Sequence, residues 1–437
     1  MATDKLYWKV ALAAVFAVAA TSFDAPARAA DLGGNCCADL EERIAELEAT
    51  TARKGNRKVS LTISGYIAQE ITFWDDGRET NTYIHGLGPT QASHFKLNGQ
   101  AVIAPGWTAG YMMRIQDLGG NAFGAGPGGA AINQNSSNYD AGLNVQMSFW
   151  YLQSKDLGKL SVGRLAHAAK SAAMGTDQSG TAIIDNYTFL AGFPQFYLRS
   201  GDNLTPPVTW GNLGFCYYQN LPFGGDCTGI VMNGVRYDLP AFGGFTAAVS
   251  WGEDDIWEVA ARYAGVHNGF KLSLGVGYSH SSDAKVTGPR VLTQKDTSYF
   301  QAGAYVEHVA TGLFLHGAYG YEDNNSKQLL LNGMQVSDGK HWYIKSGIRQ
   351  KWNSLGATII YGDYAEYLDQ MGPAALARGA TSSKLTRYGG GIAQEIDAAA
   401  MTTYLKYQRY EGDVTGAPSL TDLQDLSLFT VGALINF

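Results

Sequence analysis

The chain has 437 residues with 54 Gly, 25 Tyr, 18 Phe and 9 Trp but only 12 Pro, and a mean hydropathy of −0.14. Its formal net charge of −7 excludes the basic surface that nucleic-acid binding normally needs. Beyond residue 30 no stretch supplies the roughly 20 apolar residues of a transmembrane helix, and apolar residues recur in short alternating bursts rather than in the blocks of a soluble core.

At the start, Lys5 and Lys9 precede the apolar run 10–20, and Ala27-Arg28-Ala29 offers small residues around a cut. That is the pattern of a secretory signal peptide, expected over 1–29. Residues 30–56 form an extension of different composition: Leu40, Ile44 and Leu47 share one helical face, and Glu42, Arg43 and Glu46 allow ion pairs along its surface. A short periplasmic helix associating near a trimer axis is expected there, with a solvated extension as the alternative.

From residue 57 to 437 the period becomes two. Strands are expected at 59–74, 94–103, 107–116, 144–154, 159–164, 230–238, 245–251, 256–263, 270–279, 298–308, 313–321, 341–352, 357–364, 386–395, 399–410 and 426–437. Short turns alternate with long connections, and an even count puts both chain ends on the same side. The fold class is therefore all-β: a sixteen-stranded antiparallel transmembrane β-barrel. The last stretch is the sharpest signal, with Phe429, Val431, Ala433, Ile435 and Phe437 on one parity, interrupted on the other only by Leu434. A final Phe in a paired strand resembles the C-terminal signature of bacterial outer-membrane barrels, which implies handling by the barrel-assembly machinery.

If the apolar parity faces outer-membrane lipid, the other lines the lumen. Arg114, Arg236, Arg262, Lys271, Lys345, Arg349, Lys351 and Lys406 all fall on the inward parity. A charge on the lipid face costs roughly 2–4 kcal/mol at the midplane, so this placement is informative. The connection 165–229 is too long for a hairpin loop and is expected to fold into the lumen as a constriction. Its Asp177, Asp185 and Asp202 either oppose the basic wall, creating a transverse field that filters solutes by size and charge, or solvate an external loop. Cys216 and Cys227 are candidates for a disulfide in an exported protein. Cys36-Cys37 is open to pairing with another chain or to one local bridge. The eight His are scattered and neither cysteine pair has ligand spacing, so no metal and no cofactor are expected.

The runs C-C-A-D-L-E-E-R-I-A-E-L-E-A-T-T-A-R-K-G-N at 36–56, R-Y-D-L-P-A-F-G-G-F at 236–245, S-W-G-E-D-D at 250–255 and G-I-A-Q-E-I-D-A-A-A at 391–400 resemble the general porins of alphaproteobacteria such as rhizobia. The resemblance spans nearly the whole mature chain. It implies a homotrimeric outer-membrane channel for passive diffusion of small hydrophilic solutes, with a sugar- or anion-specific channel as the alternative. Barrel enzymes carry a Ser/His or Asp/His set that is not visible here, so no enzymatic activity is expected.

Overall fold

The computed structural model describes residues 59–88, 91–117, 143–187, 196–218, 226–228, 231–252, 255–282, 296–325 and 336–437. The expected signal peptide, N-terminal helix and Cys36-Cys37 lie outside these residues.

In chain order the first strands are β1 (Thr62–Asp75), β2 (Thr80–His85), β3 (His94–Ala104), β4 (Trp107–Asp117), β5 (Leu143–Ser154), β6 (Gly158–Leu165), β7 (Tyr197–Ser200), β8 (Asn203–Thr209) and β9 (Met232–Asp238). They are followed by β10 (Phe245–Gly252), β11 (Ile256–His267), β12 (Phe270–Ser281), β13 (Thr297–His308), β14 (Leu313–Asp323), β15 (Gly339–Asn353), β16 (Gly356–Leu368), β17 (Ser382–Ile396), β18 (Met401–Thr415) and β19 (Leu426–Asn436). All except β7 and β8 belong to one antiparallel 17-stranded sheet, which closes where β1 pairs with β19. β3 pairs with residues 62–66 of β1 and β2 with residues 70–75, so β2 and β3 share one place and the barrel has 16 positions. Each of the sixteen expected strands matches one position; β2 and the separate β7–β8 hairpin were not anticipated.

Alternation explains the wall. In β1, Ile63, Ile67 and Ile71 are exposed on the outer face while Tyr66, Ala68 and Glu70 are buried inside. Leu434, the residue that breaks the polar parity of β19, packs inward with Tyr66, Ala68 and Leu87. The final residue is paired: Phe437 N–H donates to Gly65 O at 3.1 Å, and Gly65 N–H to Phe437 O at 2.8 Å.

The wall is uneven in height. β15, β17 and β18 have 15 residues each and β16 has 13. Across the barrel, β6 and β10 have 8 and β9 has 7.

Candidate functional site

After β6 the chain turns into the lumen and follows the inner wall. The short run Ala168, Ala169, Ala172 and Ala173 is fully buried. Its backbone is satisfied by wall side chains, as buried peptide groups require. Ala168 N–H donates to Ser250 Oγ at 2.9 Å, Ala169 N–H to Glu258 Oε2 at 2.7 Å and Ala173 N–H to Gln301 Oε1 at 2.9 Å. In the other direction, Arg236 Nη1 donates to Ala166 O at 3.0 Å, and Arg262 Nη2 to Ala168 O at 3.0 Å and Lys170 O at 3.1 Å. The wall is glycine where the loop lies flat on it. A Cβ on Gly275 would sit 2.2 Å from Ala172 O, and one on Gly303 2.5 Å from Ala173 O.

Further along, acids of the loop meet bases of β15 to β18 in direct contact. Lys345 Nζ donates to Asp177 Oδ2 at 2.8 Å, Thr181 Oγ1 at 2.9 Å and Asp185 O at 2.6 Å. Arg387 pairs with Asp185 and, at 2.6 Å, with Asp363 Oδ2. Tyr361 and Gln408 also donate to Asp185, both at 2.9 Å. Lys406 Nζ donates to Ile184 O at 2.7 Å and forms an ion pair with Glu70 at 2.7 Å. Burial alone would raise the Asp177 carboxyl, but Lys345 and its other partners hold it below the usual carboxylate range. For Asp185, burial is likewise outweighed by Arg387, Lys406 and Lys345, and the carboxyl is held down. Asp177 and Asp185 are thus seated against the wall and buried, with no water-filled gap between them and Lys345 or Arg387. Asp202 is placed elsewhere. The β7–β8 turn carries it to an exposed position, where it pairs with Arg78 at 3.0 Å.

The second half of the loop is apolar. Trp210, Leu213, Phe215 and Tyr217 are buried in one cluster with Tyr367, Leu385, Tyr410, Val414 and Leu426 of β16 to β19. Cys216 and Cys227 are joined by a disulfide across a separation of 11 residues. Tyr218 OH beside it donates to Glu258 Oε1 at 2.9 Å. The same two cysteines and Glu322 approach one another at metal-ligand range, but cysteines spent in a disulfide offer no thiolate to an ion.

The other bases singled out by parity have varied surroundings. Arg236 pairs with Asp238 at 2.6 Å, Lys271 with Glu307 at 3.8 Å and Arg349 with Glu395 at 2.7 Å. Lys351 pairs with Asp397 at 2.8 Å and is two-thirds exposed near the turn between β15 and β16. Arg114 has His94 Nδ1 at 3.1 Å and, like Arg262, no acid within ion-pair distance among the described residues. Parity reading also missed three inward bases, Lys96, Lys159 and Arg387. Lys96 stands opposite Arg114 on the β3–β4 ladder, and Lys159 opposite Asp238 on β6–β9. Lys96 lies between the outward apolar Phe95 and Leu97, and Lys159 is followed by the outward Leu160, a signal present in the sequence. Arg387 was harder to find, because its inward neighbour Leu385 is itself apolar and fully buried.

The loop therefore follows the wall from β9 round to β19 and on to β1 and β2, where Phe196 packs against Trp74 and Tyr83. No curated protein matches the chain significantly. Among solved structures, the anion-selective porin from Comamonas acidovorans aligns over 87% of this chain and 100% of its own, with 15% identity and a TM-score of 0.55. The outer membrane channel DcaP of Acinetobacter baumannii covers 88% and 99%, with 8% identity and a TM-score of 0.52. Salmonella typhi OmpF, solved with daunomycin, covers 88% and 99%, with 13% identity and a TM-score of 0.51. At these identities the likeness establishes the fold, and a family model extends it to kinship: the model for Gram-negative porins matches residues 10–419, so this chain belongs to the Gram-negative porin family and forms a channel of the bacterial outer membrane.

Proposed function

We propose that this porin is a passive diffusion channel for small hydrophilic solutes with a preference for anions. The observation that carries the preference is an imbalance of free charge. The loop acids Asp177 and Asp185 are spent in buried pairs. Asp226 and Glu258, which have no base within ion-pair distance among the described residues, are buried and hydrogen-bonded, as is Glu322. By contrast, Lys96, Arg114 and Lys159 on β3, β4 and β6 and Arg262 beside the loop have no acid within that distance among the described residues. Fixed cations along a narrow aqueous path concentrate anions and repel cations. Anion selectivity is also the printed property of the Comamonas protein, but at 15% identity the charges here have to carry the argument.

The assembly is a homotrimer on this reading. A strand of 8 residues tilted by about 40° rises only about 20 Å, short of the roughly 25 Å apolar band, whereas 15 residues rise about 38 Å. The low wall of β6, β9 and β10 faces sister copies and the tall wall of β15 to β18 faces lipid. Residues 1–29 are removed on export, the extension 30–56 stays in the periplasm, and the paired Phe437 end is the segment presented to the barrel-assembly machinery. The chain carries no enzymatic activity, and its likeness to rhizobial porins points to an alphaproteobacterial source.

Reconstitution into planar bilayers under a salt gradient tests this reading. We expect large conductance steps in groups of three and a reversal potential of the sign set by chloride. A potassium-side reversal potential would overturn the anion preference, and silence from inserted protein would overturn the channel.

A further inference from the structure

The inner wall of β4 to β6 and β9 contains a recess of about 300 Å³ lined on one side by apolar residues and on the other by Lys159, Ser161, Arg236 and Asp238. Met112, Met147 and Phe149 stand on the inner face of β4 and β5, where a water-filled channel normally presents polar groups. Strand register puts them beside the charges. Met112 is level with Phe149, Met147 with Arg114, and on the next strands Lys159 is level with Asp238 and Ser161 with Arg236. None of the three belongs to the clusters that seat the long loop, and Met112 and Phe149 stay partly exposed.

The charged half is a net monocation. Arg236 is neutralised by Asp238 at 2.6 Å. Lys159 has no acid within ion-pair distance among the described residues; its Nζ lies 4.3 Å from the Tyr151 ring centroid and 5.9 Å from that of Phe149. The free ammonium thus sits at the edge of the apolar strip. A ligand matching both halves has a small hydrocarbon body and one carboxylate.

We propose that this recess is a subsite for small amphipathic monocarboxylates, with the ring or short chain against Met112, Met147 and Phe149 and the carboxylate on Lys159. This deepens the porin reading and rests on it. A transport subsite binds weakly, because a solute that enters must also leave.

The test is block of chloride current through the reconstituted protein by benzoate, with acetate and benzyl alcohol at equal concentration as controls that each lack one half. Chloride steps are recorded first. Their absence would count against the channel itself, whereas steps without benzoate block would count against the subsite alone. We expect saturable block by benzoate only, weakened about tenfold in Lys159→Gln and also weakened in Met112→Thr. Equal effects of benzoate and acetate would reduce the site to charge, and equal effects of benzoate and benzyl alcohol would reduce it to apolar contact; either overturns the proposal. Benzoate block unchanged in both variants would place binding elsewhere and overturn it too. The three-solute comparison needs no variant, so a substitution that fails to fold leaves the proposal open to refutation.

Discussion

Arg387 holds two carboxylates, Asp185 of the loop and Asp363 of β16, and all three side chains are almost completely buried. Removing the guanidinium leaves both acids in a site with little water, and breaking a buried pair from one side costs about 3–5 kcal/mol. Arg387→Gln should therefore lower the thermal stability of the loop-docked state and open the loop to added protease, both readable on the purified porin. Lys345→Met should do the same through Asp177. Lys345→Met combined with Asp177→Leu should cost less than either single change, because no charge is then stranded. Acid acts on the same contacts. The Asp177 and Asp185 carboxyls are held below their usual range when folded, so their contribution is fully present above the ordinary carboxylate value of about 4 and is lost as pH falls through the depressed one. Loop protection measured against pH should stay flat down to about pH 4 and collapse below it; a decline centred between pH 5 and 7 would show that other groups control docking. At this scale the sequence was half legible. Alternation told that Lys345 and Lys406 point inward, but parity says nothing about depth, so contact with Asp177 or with Glu70 was beyond it.

The loop as an element is placed by shape as much as by charge. Its alanine run can approach β12 and β13 because the facing wall positions have no side chain, and a Cβ at Gly275 would meet Ala172 O at 2.2 Å. Gly275→Val should leave the barrel able to form, since valine suits a strand, while lifting the run 168–173 off the wall. The expected readout is reduced single-channel conductance with unchanged strand content by circular dichroism, and full conductance would mean that the run is not seated on Gly275. The strands themselves were readable because lipid outside and water inside impose alternation on every one of them. The β7–β8 hairpin has no such boundary. It sits within a cluster of loop and wall residues, and its sequence Y-L-R-S-G-D-N-L-T-P-P gives no two-faced pattern to detect. Asp202 followed the hairpin to the mouth, where it pairs with Arg78 rather than with the wall bases.

For the whole molecule, the uneven wall makes a prediction that separates lipid from protein on the outer face. Val249 on β10 and Ile360 on β16 are both outward and similarly exposed in the single chain, at 45% and 44%. An arginine at Ile360 would enter lipid and cost roughly 2–4 kcal/mol near the midplane, less toward either interface. It should lower the yield of inserted barrel while the molecules that do insert remain trimers. On the proposed trimer, an arginine at Val249 would instead enter the contact between copies, where three equivalent guanidinium groups lose their water without an acid to meet them. Val249→Arg should therefore give folded, conducting monomers on gentle electrophoresis and single steps in place of triplets in bilayers. Trimers that survive Val249→Arg but fall apart with Ile360→Arg would move the contact to the tall wall, and the low strands would then have to be matched by a locally thinned bilayer.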